Sequence, residues 1–129
     1  MVDTSKGPII IDFGLSTILL KDEKCQQSAG TLAFLSPEIV GHIPHDRSTD
    51  VWSLGILLYT LLTSRLPFVS KTIEETRMNI LKNPLNLKQS CWAQVPEAAK
   101  DLVSRMLKKA PRERITIREA LSHPWFNDI

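Results

Sequence analysis

A carboxylate directly after an apolar run is the first group in the sequence that could bind a metal ion. Residues 8–12 read Pro-Ile-Ile-Ile-Asp, and Phe13 and Gly14 follow. A glycine after Asp12 permits a sharp turn, which would present the carboxylate to a hard cation such as Mg²⁺ that prefers oxygen ligands. The simpler alternative is an aspartate that only caps a turn of the backbone. On the tripeptide alone, the turn-capping alternative is favoured.

The histidines show no catalytic or metal-binding pattern. His42 and His45 stand in a polar segment, and His123 is predicted to bond near the last helix in a structural role. No Ser-His-Asp arrangement and no zinc-ligand spacing is present in the sequence. Because no adjoining basic stripe accompanies the tryptophans, they are predicted to pack in the core rather than to stack on nucleic acid.

Composition indicates one globular domain. The chain has 129 residues, of which 43% are hydrophobic and 23% are charged, and its net charge is +2. This charge is small and dispersed, so neither a nucleic acid nor a membrane surface is an expected partner. Cys25 and Cys91 are far apart without metal-ligand spacing, which favours a reducing intracellular compartment, the cytoplasm. Residues 1–8 lack the apolar core of a signal peptide.

The element that must position any functional residues is the run from Asp50 to Leu62. Almost all of its residues are apolar, so as a helix it should be buried on all sides. It is too short to cross a bilayer, which needs about 20 apolar residues. Ser48 or Thr49 is expected to cap this helix, and it should end near Ser64.

Ahead of the core helix, the sequence predicts little regular structure. Residues 8–12 are predicted to form a buried strand, preceded by a turn over residues 4–7. Residues 21–28 read as an exposed loop. Ser36 is then expected to cap a short helix that has Pro37 at its first position and ends near Gly41.

Three more helical segments follow the core helix. Capping boxes at 72–75 and 116–119 each place a threonine three residues before a glutamate, and the first opens a helix that runs to about Lys82. Pro96 starts a helix between them, and residues 123–126 form an anchored turn. The fold class is therefore mainly α, with a short strand or hairpin at the start. The apolar stripe of the middle helix consists of Ala99, Leu102, Val103, Met106 and Leu107.

Several short motifs, taken together and in order, resemble the eukaryotic Ser/Thr protein kinase signature downstream of the catalytic loop. The resemblance covers nearly the whole chain and is similar to the calcium/calmodulin-dependent group, as the segments 11–16, 30–38 and 121–126 indicate. The chain thus reads as a partial protein kinase domain over residues 1–129. The motifs are Asp12-Phe13-Gly14, Gly30-Thr31, Ser36-Pro37-Glu38, residues 50–55, Pro67-Phe68 and Arg114.

The resemblance implies roles for residues near the start of the chain. Asp12, with Phe13 and Gly14, would belong to the cofactor site, and Asp12 would bind the Mg²⁺ that bridges the ATP phosphates. Residues 12–38 would be the activation segment, and Thr31 would lie in its substrate-docking loop near the catalytic aspartate. Ser28 is the best candidate for regulatory phosphorylation, with an unmodified, solvated serine as the alternative.

Other implied roles are structural. Glu38 and Arg114 would form a buried ion pair that ties the activation segment to the lower lobe. Asp50 would hold the backbone of the catalytic loop. The alternative is that this carboxylate only interacts favourably with the positive end of the helix dipole at the helix N-terminus. Trp52 belongs to the core-helix motif and is expected to be structural.

The sequence also departs from the family pattern. Ser36 stands where the family usually has alanine, a change that should suit a helix cap, and Ala110 stands where relatives often have aspartate. None of the five glycines has Gly-x-Gly spacing, and residues 1–11 contain neither the catalytic base nor its asparagine. The chain therefore reads as a kinase C-lobe without its ATP lobe and catalytic base, so whether it is an enzyme stays open.

Two hypotheses follow, and they belong to different classes. In the first, the chain is a portion of a Ser/Thr kinase that uses Mg-ATP in its complete form, while these 129 residues alone are inactive and bind no cofactor. In the second, it is a degenerate or split kinase-like module, a pseudokinase that acts as a protein-binding subunit. Under both, a protein partner is expected to cover the surface that faces the missing lobe. If the chain were an unrelated helical domain, all of these motifs would have to occur in this order by chance.

Overall fold

The computed structural model describes residues 2–3 and 7–127 and consists mainly of helices. This confirms the mainly α fold class with a short hairpin at its start. None of the described helices is long and apolar enough to cross a membrane. The regular elements are β1 (Val2–Asp3), β2 (Gly7–Pro8), α1 (Pro37–Val40), α2 (Ser48–Thr63), α3 (Ile73–Lys82), α4 (Glu97–Met106) and α5 (Ile117–Leu121).

The first two elements form a minimal antiparallel sheet. Val2 lies opposite Pro8, and Asp3 lies opposite Gly7. The buried strand predicted over residues 8–12 is wrong, because β2 ends at Pro8 and Ile10 is 82% exposed. A β-branched run becomes a strand only where a neighbour pairs with it and covers it, and the described chain supplies neither here. The turn predicted over residues 4–7 falls largely outside the described residues.

Helix α2 is buried on one side only. Its inner side includes Trp52, Ile56 and Tyr59, which are almost completely buried. The prediction that this helix is buried on all sides is therefore wrong, since Leu57 and Leu61 are exposed. Hydrophobicity revealed which segment forms the central helix, but the number of neighbours around that helix is a tertiary property.

Both ends of α2 are set by local hydrogen bonds. The Asp46 carboxylate accepts a hydrogen bond from the Ser48 N–H at 2.9 Å, so the cap comes from Asp46 and the expected caps, Ser48 and Thr49, lie inside the helix. At the other end Ser64 adopts a left-handed φ of 55°, and its N–H donates to the Thr60 carbonyl at 2.7 Å. The predicted end of the helix is confirmed.

The other predicted caps are formed to different degrees. Thr116 and Glu119 make the full reciprocal box, since the Glu119 N–H donates to the threonine hydroxyl and the Thr116 N–H donates to the carboxylate. At α3 the Thr72 hydroxyl accepts from the Glu75 N–H at 3.1 Å, but the Glu75 carboxylate accepts from a hydroxyl outside the box. The α3 box is thus half formed. Ser36 occupies the predicted cap position of α1, yet its hydroxyl makes no cap bond.

The core is aromatic and lies between α2 and its neighbours. Trp52 stacks on Phe68 with 5.4 Å between ring centroids, and Tyr59 meets Trp92 edge-on at 5.0 Å. The predicted stripe of α4 is buried against α2, and core positions for Trp52 and Trp92 are confirmed, whereas Trp125 is only half-buried. A side chain at Gly55 would come within 2.9 Å of Leu107 and Met106, so glycine lets α2 and α4 approach closely.

Candidate functional site

Asp12 lies in an exposed turn that its own carboxylate caps. Its φ is 64°, and its Oδ1 accepts a hydrogen bond from the Gly14 N–H at 3.0 Å. The Ser16 N–H and hydroxyl both donate to the Phe13 carbonyl, at 3.0 and 2.7 Å. The ring of Phe13 is 70% exposed. The turn-capping role considered for Asp12 is therefore present, and it leaves the carboxylate open to solvent.

The described residues contain no group of three or more His, Cys, Asp or Glu side chains that could together hold a metal ion. Asp12 thus offers a single carboxylate, which is a type of ligand that Mg²⁺ prefers. Magnesium ions in nucleotide sites commonly take one or two protein carboxylates, with phosphates and water as further ligands. Asp12 therefore fits a shared metal site that a nucleotide and other residues complete, and it does not fit an independent metal site.

Residues 19–25 are fastened to residues 45–47, just ahead of α2. Cys25 and His45 exchange two backbone hydrogen bonds, at 2.7 and 2.9 Å. The Arg47 guanidinium donates to the Leu19 carbonyl at 2.5 Å. Lys24 forms an ion pair with Asp46. We call these contacts the loop clamp. Nothing in the sequence indicated this clamp, because a pairing such as that of Lys24 with Asp46, 22 positions apart, leaves no local signal.

Asp46 takes part in both the loop clamp and the helix cap. The hydrogen bond from Lys24 lowers the pKa of Asp46 well below its ordinary value, and bonds from Ser48 act in the same direction against the effect of burial. The side chains of Lys24 and Asp46 are 51% and 36% exposed, so solvent screens their attraction. The loop clamp therefore consists of polar contacts that lie largely at the protein surface.

Thr31 and Asp50 line one cavity of about 350 Å³, although they are 19 residues apart. The cavity lies between the segment after Leu15 and the start of α2, and Arg47 also lines it. The short 3-10 turn after Thr31 is held to α2 because the Ser53 hydroxyl donates to the Phe34 carbonyl at 3.0 Å. The structure thus brings Thr31 and Asp50 together, whereas Asp12 and the exposed Ser28 are not among the residues that line this cavity.

Glu38 and Arg114 make a two-point ion pair in the interior, at 2.7 and 2.8 Å. Arg114 also donates to the backbone carbonyls of Ser48 and Lys108 at 2.8 and 3.0 Å. We call this set the Arg114 anchor. Burial by itself raises the pKa of Glu38, but the hydrogen bonds and charge of Arg114 outweigh it, and the pKa is lowered. The anchor joins α1, the start of α2 and the chain after α4.

Lys109 is a second cation packed against the core, half-buried, and nothing in the sequence singled it out. Its ammonium group donates to the carbonyls of Asn79 and Ile80 at 3.0 and 2.6 Å, near the end of α3. It also lies 3.6 Å from the centroid of the Phe68 ring. Burial lowers the pKa of Lys109 to about 8. Adjacent Lys108 and Lys109 look alike in sequence, so only the packing distinguishes them.

His123 has the structural role predicted for it. Its Nε2 lies 3.0 Å from the Asp101 carboxylate, and its Nδ1 accepts a hydrogen bond from the Trp125 N–H at 3.3 Å. The side chain is buried. The pKa of Asp101 is lowered, first by its hydrogen bond with Arg105 and then by that with His123. These contacts fix the C-terminal turn against α4.

Comparison with known proteins gives consistent matches. The family model described as the protein kinase domain matches residues 1–126. The serine/threonine-protein kinase 17A of Oryctolagus cuniculus is 37% identical over 95% of this chain, which spans 32% of that relative. The calcium-dependent protein kinase 25 of Arabidopsis thaliana is 37% identical over 98% of this chain and 24% of its own length. The human death-associated protein kinase 2 is also 37% identical, over 93% of this chain and 32% of its own length.

A solved structure agrees with the sequence matches. The twitchin kinase region from C. elegans superposes with a TM-score of 0.83 and 35% identity, covering 90% of this chain and 21% of the twitchin chain. The chain therefore spans about a third or less of each of these relatives.

Proposed function

The chain belongs to the protein kinase family, and we propose that it is a portion of a Ser/Thr kinase of the calcium/calmodulin-dependent group. In its complete form this kinase transfers the ATP γ-phosphate to serine or threonine of a protein. The observation that carries the proposal is the cavity that Thr31 of the proposed substrate-docking loop and Asp50 at the start of α2 both line. A catalytic loop supplied from outside these residues would lie beside this cavity, with Asp50 as an acceptor for its backbone.

Mg-ATP is the cofactor proposed for the complete kinase. The Asp12 carboxylate would hold the magnesium ion, and the Phe13 and Gly14 turn would present that carboxylate. When bound, the ion neutralises charge on the phosphates during transfer. The exposed position of Asp12 and its left-handed backbone, which Gly14 follows, support this assignment. Residues 12–38 are the proposed activation segment within a partial kinase domain.

These 129 residues alone are proposed to be inactive. Asp12 is a single carboxylate, and the sequence has neither the catalytic base motif nor a Gly-rich loop. The test is phosphate transfer from labelled ATP to a general protein substrate, with purified wild type and Asp12→Ala side by side. We expect no transfer above background from either. Transfer by wild type that disappears in Asp12→Ala would refute the proposal of inactivity.

Transcript sequencing upstream of the codon for Met1 tests whether the chain is part of a complete kinase. An open reading frame that encodes a catalytic loop and a Gly-rich loop would support the kinase portion. A stop codon there would favour the alternative, a split or degenerate module that binds a protein partner.

The exposed apolar residues near Asp12 favour a partner in either case. Ile10, Ile11 and Phe13 form a short run of uncovered side chains, and we propose that another lobe or chain covers them. Binding in trans of a kinase N-terminal lobe should be measurable by calorimetry with wild type and should weaken at least tenfold in Ile10→Glu. Equal binding by both would contradict this surface. Ile73→Glu, at an exposed position on α3, is the control.

Ser28 is the proposed regulatory phosphorylation site. Its neighbours Gln27 and Ala29 line the same cavity as Arg47, which would offer a phosphate a cationic partner. After enzymatic phosphorylation of Ser28, amide hydrogen exchange in residues 19–31 should slow, and Arg47→Ala should remove much of that effect. Unchanged exchange after phosphorylation would favour the alternative, a serine without a regulatory role.

A cytoplasmic location is part of the same proposal. Cys25 and Cys91 are both unpaired, as expected for a protein in a reducing compartment. Cell fractionation with an antibody to this chain tests it, and recovery in the secretory fraction would contradict it.

A further inference from the structure

The last turn of α3 is held by a side chain from a distant part of the chain. Carbonyl groups in the last turn of an α-helix lack some of their partners within the helix. The Lys109 ammonium group donates to the Ile80 carbonyl at 2.6 Å and to the Asn79 carbonyl at 3.0 Å. These partners are 29 and 30 positions away in sequence. Lys109 therefore fastens α3 to the chain after α4.

The surroundings of the Lys109 amine position it without balancing its charge. Besides the two neutral carbonyls, the amine lies 3.6 Å from the centroid of the Phe68 ring and 5.1 Å from that of the Trp52 ring. Among residues 7–127, no carboxylate pairs with it. The Arg114 guanidinium lies 5.3 Å from the same Trp52 centroid, so the other charge beside this ring is also positive. The contacts thus fix the amine in place and give its charge no counter-ion within that range of residues.

Partial burial favours the uncharged form of this amine. It lowers the pKa of Lys109 to about 8, from the ordinary 10.5. At pH 7.5 about a quarter of such amines are uncharged, compared with about one in a thousand for an ordinary lysine. Only the uncharged amine has a free electron pair with which it can attack an electrophile. Because Lys109 is half-buried and not fully enclosed, part of its side chain stays open to solvent.

We propose that Lys109 is an acylation site that reacts with small acyl thioesters and that its acylation loosens the end of α3. The amine nitrogen attacks the thioester carbonyl carbon, the new N–C bond replaces the C–S bond, and the thiol leaves with the proton that the nitrogen loses. The product is an uncharged amide with a single N–H, so one of the two α3 carbonyls loses its hydrogen bond. The positive charge at the helix C-terminus is lost as well. Lys109 does not line the cavity of Thr31 and Asp50, and the proposal is independent of the proposed kinase function.

Labelling of the full 129-residue chain with an acetyl thioester at pH 7.5 tests the site. Tandem mass spectrometry of chymotryptic peptides measures the acetylation rate of each lysine and distinguishes neighbouring ones. Lys108 is the matched control, because it is adjacent in sequence and exposed. We expect Lys109 to react at least fivefold faster than Lys108 in the folded chain. In guanidinium chloride the two rates should become equal, because the packing that distinguishes the two lysines is gone.

Hydrogen exchange tests the effect on α3. After acetylation of the wild-type chain, amide exchange in residues 80–83 should accelerate severalfold, while exchange in α5 stays unchanged. Lys109→Arg keeps a cation at this position and offers no amine for acylation. After the same treatment, this variant carries the acetyl groups of the other lysines and should show no acceleration in residues 80–83. Circular dichroism checks that the variant is folded.

Three results would overturn the proposal. The first is a folded chain in which Lys109 reacts no faster than Lys108, since its packing would then protect the amine and not activate it. The second is a fast reaction of Lys109 that persists in guanidinium chloride, because the local sequence and not the fold would then cause it. The third is unchanged exchange in residues 80–83 after acetylation of Lys109, which would show that the amine does not hold the end of α3.

Discussion

The Arg114 anchor and the loop clamp both hold the chain ahead of α2, but they do so in opposite environments. The anchor is an interior ion pair with two short hydrogen bonds, and its arginine also donates hydrogen bonds to backbone carbonyls. The clamp uses an ion pair between half-exposed side chains and one backbone bridge. A buried charge that loses its partner cannot turn to water, whereas an exposed one can. The anchor should therefore govern global stability, and the clamp should govern local order.

Breaking the anchor tests the first part of this comparison. Arg114→Met strands the Glu38 carboxylate in the interior and should lower the free energy of unfolding by about 3 to 5 kcal/mol. Chemical denaturation monitored by tryptophan fluorescence measures it. The double variant Glu38→Leu with Arg114→Met removes both charges and should be more stable than Arg114→Met alone. A single-variant loss under about 1 kcal/mol would contradict a buried anchor.

Lys109 extends the comparison to a half-buried cation that has no carboxylate partner among residues 7–127. Its pKa is about 8 in the fold, below its ordinary 10.5, so between these values the unfolded chain binds a proton that the folded chain does not. The free energy of unfolding should therefore rise with pH across this window, and the loss of stability should be complete below pH 8. The full shift would correspond to about 3 kcal/mol, and solvent around the half-buried amine should reduce the observed rise below that value.

Lys109→Met is the control for this pH dependence, because the variant has no amine to titrate. Denaturation curves at several pH values between 7.5 and 10.5 should show a smaller rise for the variant than for wild type. Parallel curves for the two proteins would mean that the Lys109 amine titrates normally.

Close packing in the interior gives an effect of similar or smaller size. Gly55→Ala would press a methyl group against Leu107 and Met106, where a Cβ comes within 2.9 Å. We expect a loss of about 1 to 3 kcal/mol in thermal or chemical unfolding. Leu61→Ala, on the exposed side of the same helix, should cost less than Gly55→Ala. If the stability of Gly55→Ala equalled that of wild type, α2 and α4 would be shown to separate easily.

The loop clamp should give the smallest global effect. Lys24→Ala removes the ion pair and should cost less than about 1 kcal/mol, because both side chains are substantially exposed. Hydrogen exchange in residues 19–25 should nevertheless accelerate severalfold, while exchange in α2 stays as in wild type. Lys21→Ala, in the same exposed stretch, is the matched control. Faster exchange throughout α2 would mean that the clamp supports the whole fold.

The sequence predicted several local features of this protein correctly. The apolar stripe of α4, the end of α2 at Ser64 and the full box at Thr116 each depend on residues within about one or two helical turns. The ordered motifs also indicated the family, because they combine residue types that rarely occur together by chance. These features are local in sequence, and so they can be inferred without coordinates.

Tertiary structure decided which side chains are covered and which distant groups meet. It left the isoleucines after Pro8 unpaired and one side of α2 open, because neither a neighbouring strand nor a covering helix is encoded in a hydrophobic pattern. It also selected Lys109 over Lys108 for the interior and joined Asp46 to Lys24. Burial and long-range pairing depend on how many neighbours surround a residue, and that number is set only when the whole chain has packed.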